Sequence, residues 1–118
     1  MHEVVNKEFN HLKIHTQYSI CEGALRTSEL AKYCKENKVR SVGLCDSNNL
    51  CGALEFSELI AKSGTQPIIG TQINIKYMNI IGKIPLFAKD LEGYKNLIKL
   101  SSKSYLDIKE NDDPHCTI

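Results

Sequence analysis

The chain has 118 residues, of which 42% are hydrophobic and 25% charged, the composition of one soluble folded domain and not of a disordered or fibrous segment. Its 15 Lys and Arg against 14 Asp and Glu leave a formal net charge of +1, so no global field draws it onto nucleic acid or an anionic membrane. The apolar runs are too short to span a bilayer, and Met1-His2-Glu3-Val4-Val5-Asn6-Lys7 lacks the basic start and apolar centre of a secretion signal, which predicts a cytoplasmic protein without membrane contact.

His11-Leu12-Lys13-Ile14-His15 alternates polar and apolar residues and predicts a strand with Leu12 and Ile14 on its buried face. A polar, glycine-containing stretch from Thr16 to Ala24 follows. Thr27 or Ser28 can then cap a helix running from about Ser28 to Asn37, with Leu30, Ala31 and Cys34 as its inner stripe. Ser41-Val42-Gly43-Leu44-Cys45 reads as a buried strand that ends in the carboxylate of Asp46, with Ser47-Asn48-Asn49 as the loop after it.

Leu50, Ala53, Leu54, Ser57, Ile60 and Ala61 recur at helical spacing and predict a helix from Leu50 to Ser63, stopped by Gly64. Gln66 to Tyr77 reads as an extended strand with Pro67 at its start. Asn79 to Lys83 reads as a hairpin turn and Ile84 to Ala88 as the returning strand. Asp90 caps a last helix with Leu91, Tyr94, Leu97, Ile98 and Tyr105 on one side. The stretch from Lys109 to Pro114 is polar and predicted to be loose.

The order β-α-β-α-β-β-α means an α/β fold, either an open sheet or an incomplete barrel. No dinucleotide fingerprint or phosphate-binding glycine loop is present. A full α/β barrel needs about 250 residues, so the expectation is about half of one, in a truncated chain. Cys21, Cys34, Cys45, Cys51 and Cys116 contain no C-x-x-C pair and are read as reduced, mostly buried thiols, neither a disulfide framework nor a zinc site.

Residues 11, 13 and 15 of a strand share a face, which would bring His11, Lys13 and His15 into one site. Two imidazoles there could bind a metal, but the Lys13 ammonium has no lone pair to offer and repels a cation. Asp46 is placed to satisfy Lys13 as an ion pair. The polar cluster is equally read as groups that satisfy one another.

Phe9-Asn10-His11-Leu12-Lys13-Ile14-His15-Thr16-Gln17-Tyr18-Ser19 with Glu22-Gly23-Ala24 resembles the start of bacterial DNA polymerase III alpha subunits. Leu44-Cys45-Asp46-Ser47-Asn48-Asn49-Leu50-Cys51-Gly52-Ala53-Leu54-Glu55-Phe56 resembles the second motif of that family, Pro67-Ile68-Ile69-Gly70-Thr71-Gln72 its third, and Gly93-Tyr94-Lys95-Asn96-Leu97 its next helix. The resemblance implies the amino-terminal part of a polymerase and histidinol-phosphatase (PHP) domain, a distorted (β/α)7 barrel incomplete in this chain. It divides the chain into a tail over 1–8, a partial PHP domain over 9–106, and a polar tail or connection over 107–118.

PHP domains that keep their catalytic site bind two or three metal ions, which activate water for phosphoester hydrolysis. Carried over by position, the family's ligands fall on Lys13 and His15, on Asp46 and Ser47, and on Gln72. Lys13, Ser47 and Gln72 stand at replaced ligand positions, so the resemblance implies a degenerate and empty metal site with His11, His15 and Asp46 as what remains. It implies no hydrolase activity and no cofactor in this segment. In its place it implies a structural role and docking of a separate proofreading exonuclease subunit, within an alpha subunit that contacts DNA. Template-directed DNA synthesis by that nucleotidyltransferase uses Mg bound outside this chain. Two alternatives remain: a stand-alone PHP phosphoesterase using His11, His15 and Asp46, or a short non-catalytic binding module. Lys95, Lys99 and Lys103 form a stripe read as a solvated helix face, with phosphate contact as the lesser reading.

Overall fold

A computed structural model describes residues 9–20 and 22–117; the predicted tail over 1–8 and Cys21 lie outside the described residues. The elements, in chain order, are α1 (Thr27–Glu36), β1 (Ser41–Ser47), α2 (Ala53–Lys62), β2 (Gln66–Tyr77), β3 (Ile80–Phe87), α3 (Leu91–Leu106) and β4 (Cys116–Thr117). β1 and β2 are parallel, from Ser41 opposite Gln66 to Ser47 opposite Gln72, with α2 as their crossover. β2 then continues past β1 and pairs antiparallel with β3, from Gly70 opposite Phe87 to Tyr77 opposite Ile80. Ile75 and Lys76 also pair with Cys116 and Thr117, so the segment read as a polar tail contributes a two-residue strand to the four-stranded sheet. The α/β class read from the sequence holds.

The core lies between β1 and the first two helices, built from Leu30, Ala31 and Cys34 of α1, Val42 and Leu44 of β1, and Ala53, Phe56 and Ile60 of α2. The α1 stripe is the one the spacing predicts. Its cap is not: Arg26 occupies the N-cap without a side-chain hydrogen bond, because the Thr27 hydroxyl is drawn away to Glu55. In α2 the buried face is Ala53, Phe56 and Ile60, while the predicted Leu54 is 70% exposed. Burying an aromatic ring removes more apolar area than burying a leucine, and the helix turns accordingly. Gly64 ends this helix at φ +79°, a conformation that favours glycine.

Residues 11–15 do not form the regular strand their alternation predicts. They run parallel to β1 with one bridge, Ile14 to Leu44. The hydrogen bonds are Gly43 N–H to His11 O (2.7 Å), Ile14 N–H to Gly43 O (3.2 Å) and Cys45 N–H to Ile14 O (2.9 Å). Leu12 is exposed while Ile14 is half-buried. The close approach depends on Gly43, whose missing Cβ would stand 2.6 Å from the carbonyl oxygen and 2.7 Å from the Cα of Leu12, neither of which can rotate away. Gly43→Ala is expected to displace the 11–14 segment and cost about 1–3 kcal/mol, read as a lower urea midpoint; an unchanged midpoint would mean the segment does not lie against β1.

The hairpin is tighter than predicted. Its turn is Met78–Asn79, both at positive φ (46° and 66°), the two-residue form that matches strand twist, and β3 starts at Ile80 rather than Ile84. Asp90 caps α3 as expected, its Oδ1 accepting the Gly93 N–H at 2.8 Å. Only Leu97 and Ser104 of that helix are buried; Leu91, Ile98 and Tyr105 of the predicted stripe are exposed, as are Lys95, Lys99 and Lys103. Cys34, Cys45 and Cys116 are buried free thiols, and Cys51 is exposed. Among the described residues no helix is long and apolar enough to cross a membrane.

Candidate functional site

Side chains alternate along β1, so Val42, Leu44 and Asp46 face the helices while Cys45 and Ser47 face the opposite side. Asp46 is fully buried. Its carboxylate accepts three hydrogen bonds, from Thr16 N–H (2.6 Å), the Thr16 hydroxyl (2.7 Å) and the Ser19 hydroxyl (2.7 Å). The Ser19 hydroxyl accepts in turn from Ser47 N–H at 3.0 Å. Asp46 therefore holds the 16–19 turn onto the end of β1, and it is these groups, not the expected Lys13, that satisfy it.

On the other face, register aligns Ser47 with Gln72 across β1 and β2, Gln72 with Pro85 across β2 and β3, and Asn74 with Lys83. Aligned residues share a face. The loop after the edge segment delivers Glu22 to this row: the Ser47 hydroxyl donates to Glu22 Oε2, and Lys83 Nζ lies 3.7 Å from Glu22 Oε1. The Ser47 bond holds the Glu22 carboxyl below its ordinary range; desolvation opposes it, and Lys83 and His15 add lesser lowering effects. Gln72 is 4% exposed and its Oε1 is buried without a partner, as is Oδ1 of Asn48.

His15 is half-buried with Nδ1 3.4 Å from the Ser19 hydroxyl, which stands between it and Asp46. Lys13 is exposed and lies beside Cys45, whose thiol burial pushes up to about 11 despite the nearby ammonium, so the thiol stays protonated at neutral pH. His11 goes elsewhere. It packs edge-on against Phe9 at 4.8 Å and lines a 330 Å³ apolar cavity with Ile14, Leu25, Leu30 and Val42, on the helix side of the sheet. The structure thus divides the predicted set: His15 and Ser47 lie near Glu22, Asp46 is turned to the helices, and His11 is apart.

Metal ions of the kind the resemblance attaches to this region do not fit these residues. Lys13 brings a positive charge, Ser47 and Gln72 are neutral, and the fully buried Asp46 carboxylate already accepts three hydrogen bonds from Thr16 and Ser19. Among the described residues no group of three or more His, Cys, Asp or Glu could hold a metal ion.

Sequence reasoning missed two carboxylates. Glu22 carries the strand-end cluster, and the available signal was an acid placed seven residues after His15 in a polar loop. Glu55 of α2 accepts from the Tyr18 hydroxyl (2.6 Å) and the Thr27 hydroxyl, while Gln17 Oε1 accepts from Thr27 N–H (3.1 Å), which ties the same loop to both helices. The Thr27 bond first and the Tyr18 bond second keep the Glu55 carboxyl low, and Glu55 raises the Tyr18 phenol in return. Chemically, the site braces a loop across strand ends.

The sequence profile of the PHP domain family matches residues 11–117. A protein of Rickettsia conorii named DNA polymerase III subunit alpha is 44% identical over 99 residues, covering 83% of this chain and 8% of that protein. A Helicobacter pylori protein of the same name is 42% identical over 110 residues, covering 86% of this chain and 9% of that one. The chain therefore spans about a tenth of the length of the relatives it matches. A crystal structure of a protein described as a metal-dependent phosphoesterase of Bifidobacterium adolescentis superposes with a TM-score of 0.64 at 17% identity, over 80% of this chain and 32% of that one. This last likeness is one of fold.

Proposed function

The chain belongs to the PHP domain family, and from that premise we propose that it is the PHP portion of a replicative DNA polymerase III alpha subunit, a cytoplasmic DNA-directed DNA polymerase. In this reading the segment is non-catalytic. It braces the polymerase and offers a docking surface to a proofreading exonuclease subunit, while DNA synthesis depends on Mg held outside residues 1–118. The observation that carries it is identity of 42–44% with polymerase III alpha subunits across more than four-fifths of the chain.

The chemistry of the strand ends supports the non-catalytic part. Phosphoester hydrolysis by a stand-alone PHP enzyme would need His11, His15 and Asp46 to converge on metal, and His11 is turned to the rim of an apolar cavity while Asp46 is engaged by Thr16 and Ser19.

An immunoblot of source cells with an antibody against this segment tests the proposal. A band near the size of the relatives, roughly ten times this chain, is the expected result. A sole band near 13.3 kDa would overturn it in favour of a short binding module.

A further inference from the structure

We propose that the ammonium of Lys83 is the resident cation of the strand-end cluster, closing with Glu22 and Ser47 a strap across β2 that takes the place a metal ion would need. This inference concerns the cluster alone and does not depend on the polymerase reading. Ser47 and Lys83 stand on strands that flank β2 on opposite sides, and register directs both to the face of Gln72. Glu22 takes the Ser47 hydroxyl on one oxygen and Lys83 on the other, so a single carboxylate spans the strand between them.

Gln72 lies on the same face by register, opposite Ser47 and two residues before Asn74, the partner of Lys83. It is 4% exposed and its Oε1 is buried without a partner. The exposed Lys13 adds a further ammonium on the same side, toward Cys45. A divalent ion approaching Glu22 would meet the Lys83 ammonium at about 4 Å, a repulsion equivalent to at least about tenfold in affinity even in water. The disagreement between this donor set and metal binding thus has a positive cause as well as a missing one: besides the lost ligands, there is a built-in competitor.

The probe is Mn²⁺ alone, titrated into the full chain at low ionic strength and followed by the spin resonance of the free ion, with circular dichroism as the control for folding. Lys83→Met is expected to bind Mn²⁺ about tenfold more tightly than the parent, Lys83→Arg to match the parent, and Glu22→Gln combined with Lys83→Met to lose the gain. Equal affinity of parent and folded Lys83→Met overturns the proposal, and so does a gain that survives Glu22→Gln. A second readout needs no variant. The Glu22 carboxyl carbon, titrated by NMR in the parent chain, is expected to shift its midpoint upward when salt is raised from 10 mM to 1 M, as Lys83 is screened; a midpoint indifferent to salt overturns the proposal.

Discussion

Asp46→Ala is expected to lower the unfolding free energy by about 3 kcal/mol or more, on the scale of one to three for each buried donor left without an acceptor. The donors at risk are Thr16 N–H and the hydroxyls of Thr16 and Ser19, all three residues or groups buried with Asp46 itself. The hydroxyls can rotate toward other partners, but the Thr16 amide is fixed by the backbone and cannot. Such a loss is a large share of the 5–15 kcal/mol that stabilises a typical domain. Urea unfolding followed by circular dichroism measures it. An Asp46→Ala midpoint equal to the parent's would mean the carboxylate is free, and would return Asp46 to the list of available ligands.

The second large effect lies in the core. Phe56 is 0% exposed and sits among residues of α1, β1 and α2, so Phe56→Ala should cost about 3–5 kcal/mol through lost transfer energy and the cavity left behind. Leu54, two residues earlier and 70% exposed, supplies the contrast: Leu54→Ala should stay within about 0.5 kcal/mol. Comparable losses for the two variants would show that α2 is rotated from the orientation described, and would restore the stripe its leucine spacing suggests.

The strands that carry strong local signals were legible in the sequence. β2 matches its predicted range from Gln66 to Tyr77 because its β-branched residues and proline start agree and outweigh the interior Gly70. Asp90 announces α3 by side-chain chemistry that needs no tertiary context. The hairpin turn was misplaced because Met78, at positive φ, is not a residue that signals a turn, and only the pairing of β2 with β3 imposes it. Period two at His11–His15 predicted a strand, and the structure has instead an edge segment with a single bridge to β1, a difference in pairing that a short window does not encode.

In the site, the residue types gave the chemistry and the fold gave the partners. Lys13, Ser47 and Gln72 argued against metal from their functional groups alone. That Asp46 serves Thr16 and Ser19 follows from which side of β1 the helices occupy, and that Glu22 meets Lys83 requires the register of three strands; neither is encoded within a short window.

β2 has one further consequence. Only Gly70, Thr71 and Gln72 are paired with β1 and β3 at once; residues before them pair with β1 alone, and residues after them pair with β3, with Ile75 and Lys76 also held by β4. The two halves of the sheet are thus joined along three residues of β2. Local opening that starts at Met78–Asn79 can travel down the hairpin and stop at that junction, leaving the amides of the parallel half protected from exchange, so the Lys83 end of the strap can fluctuate while the Ser47 end stays fixed.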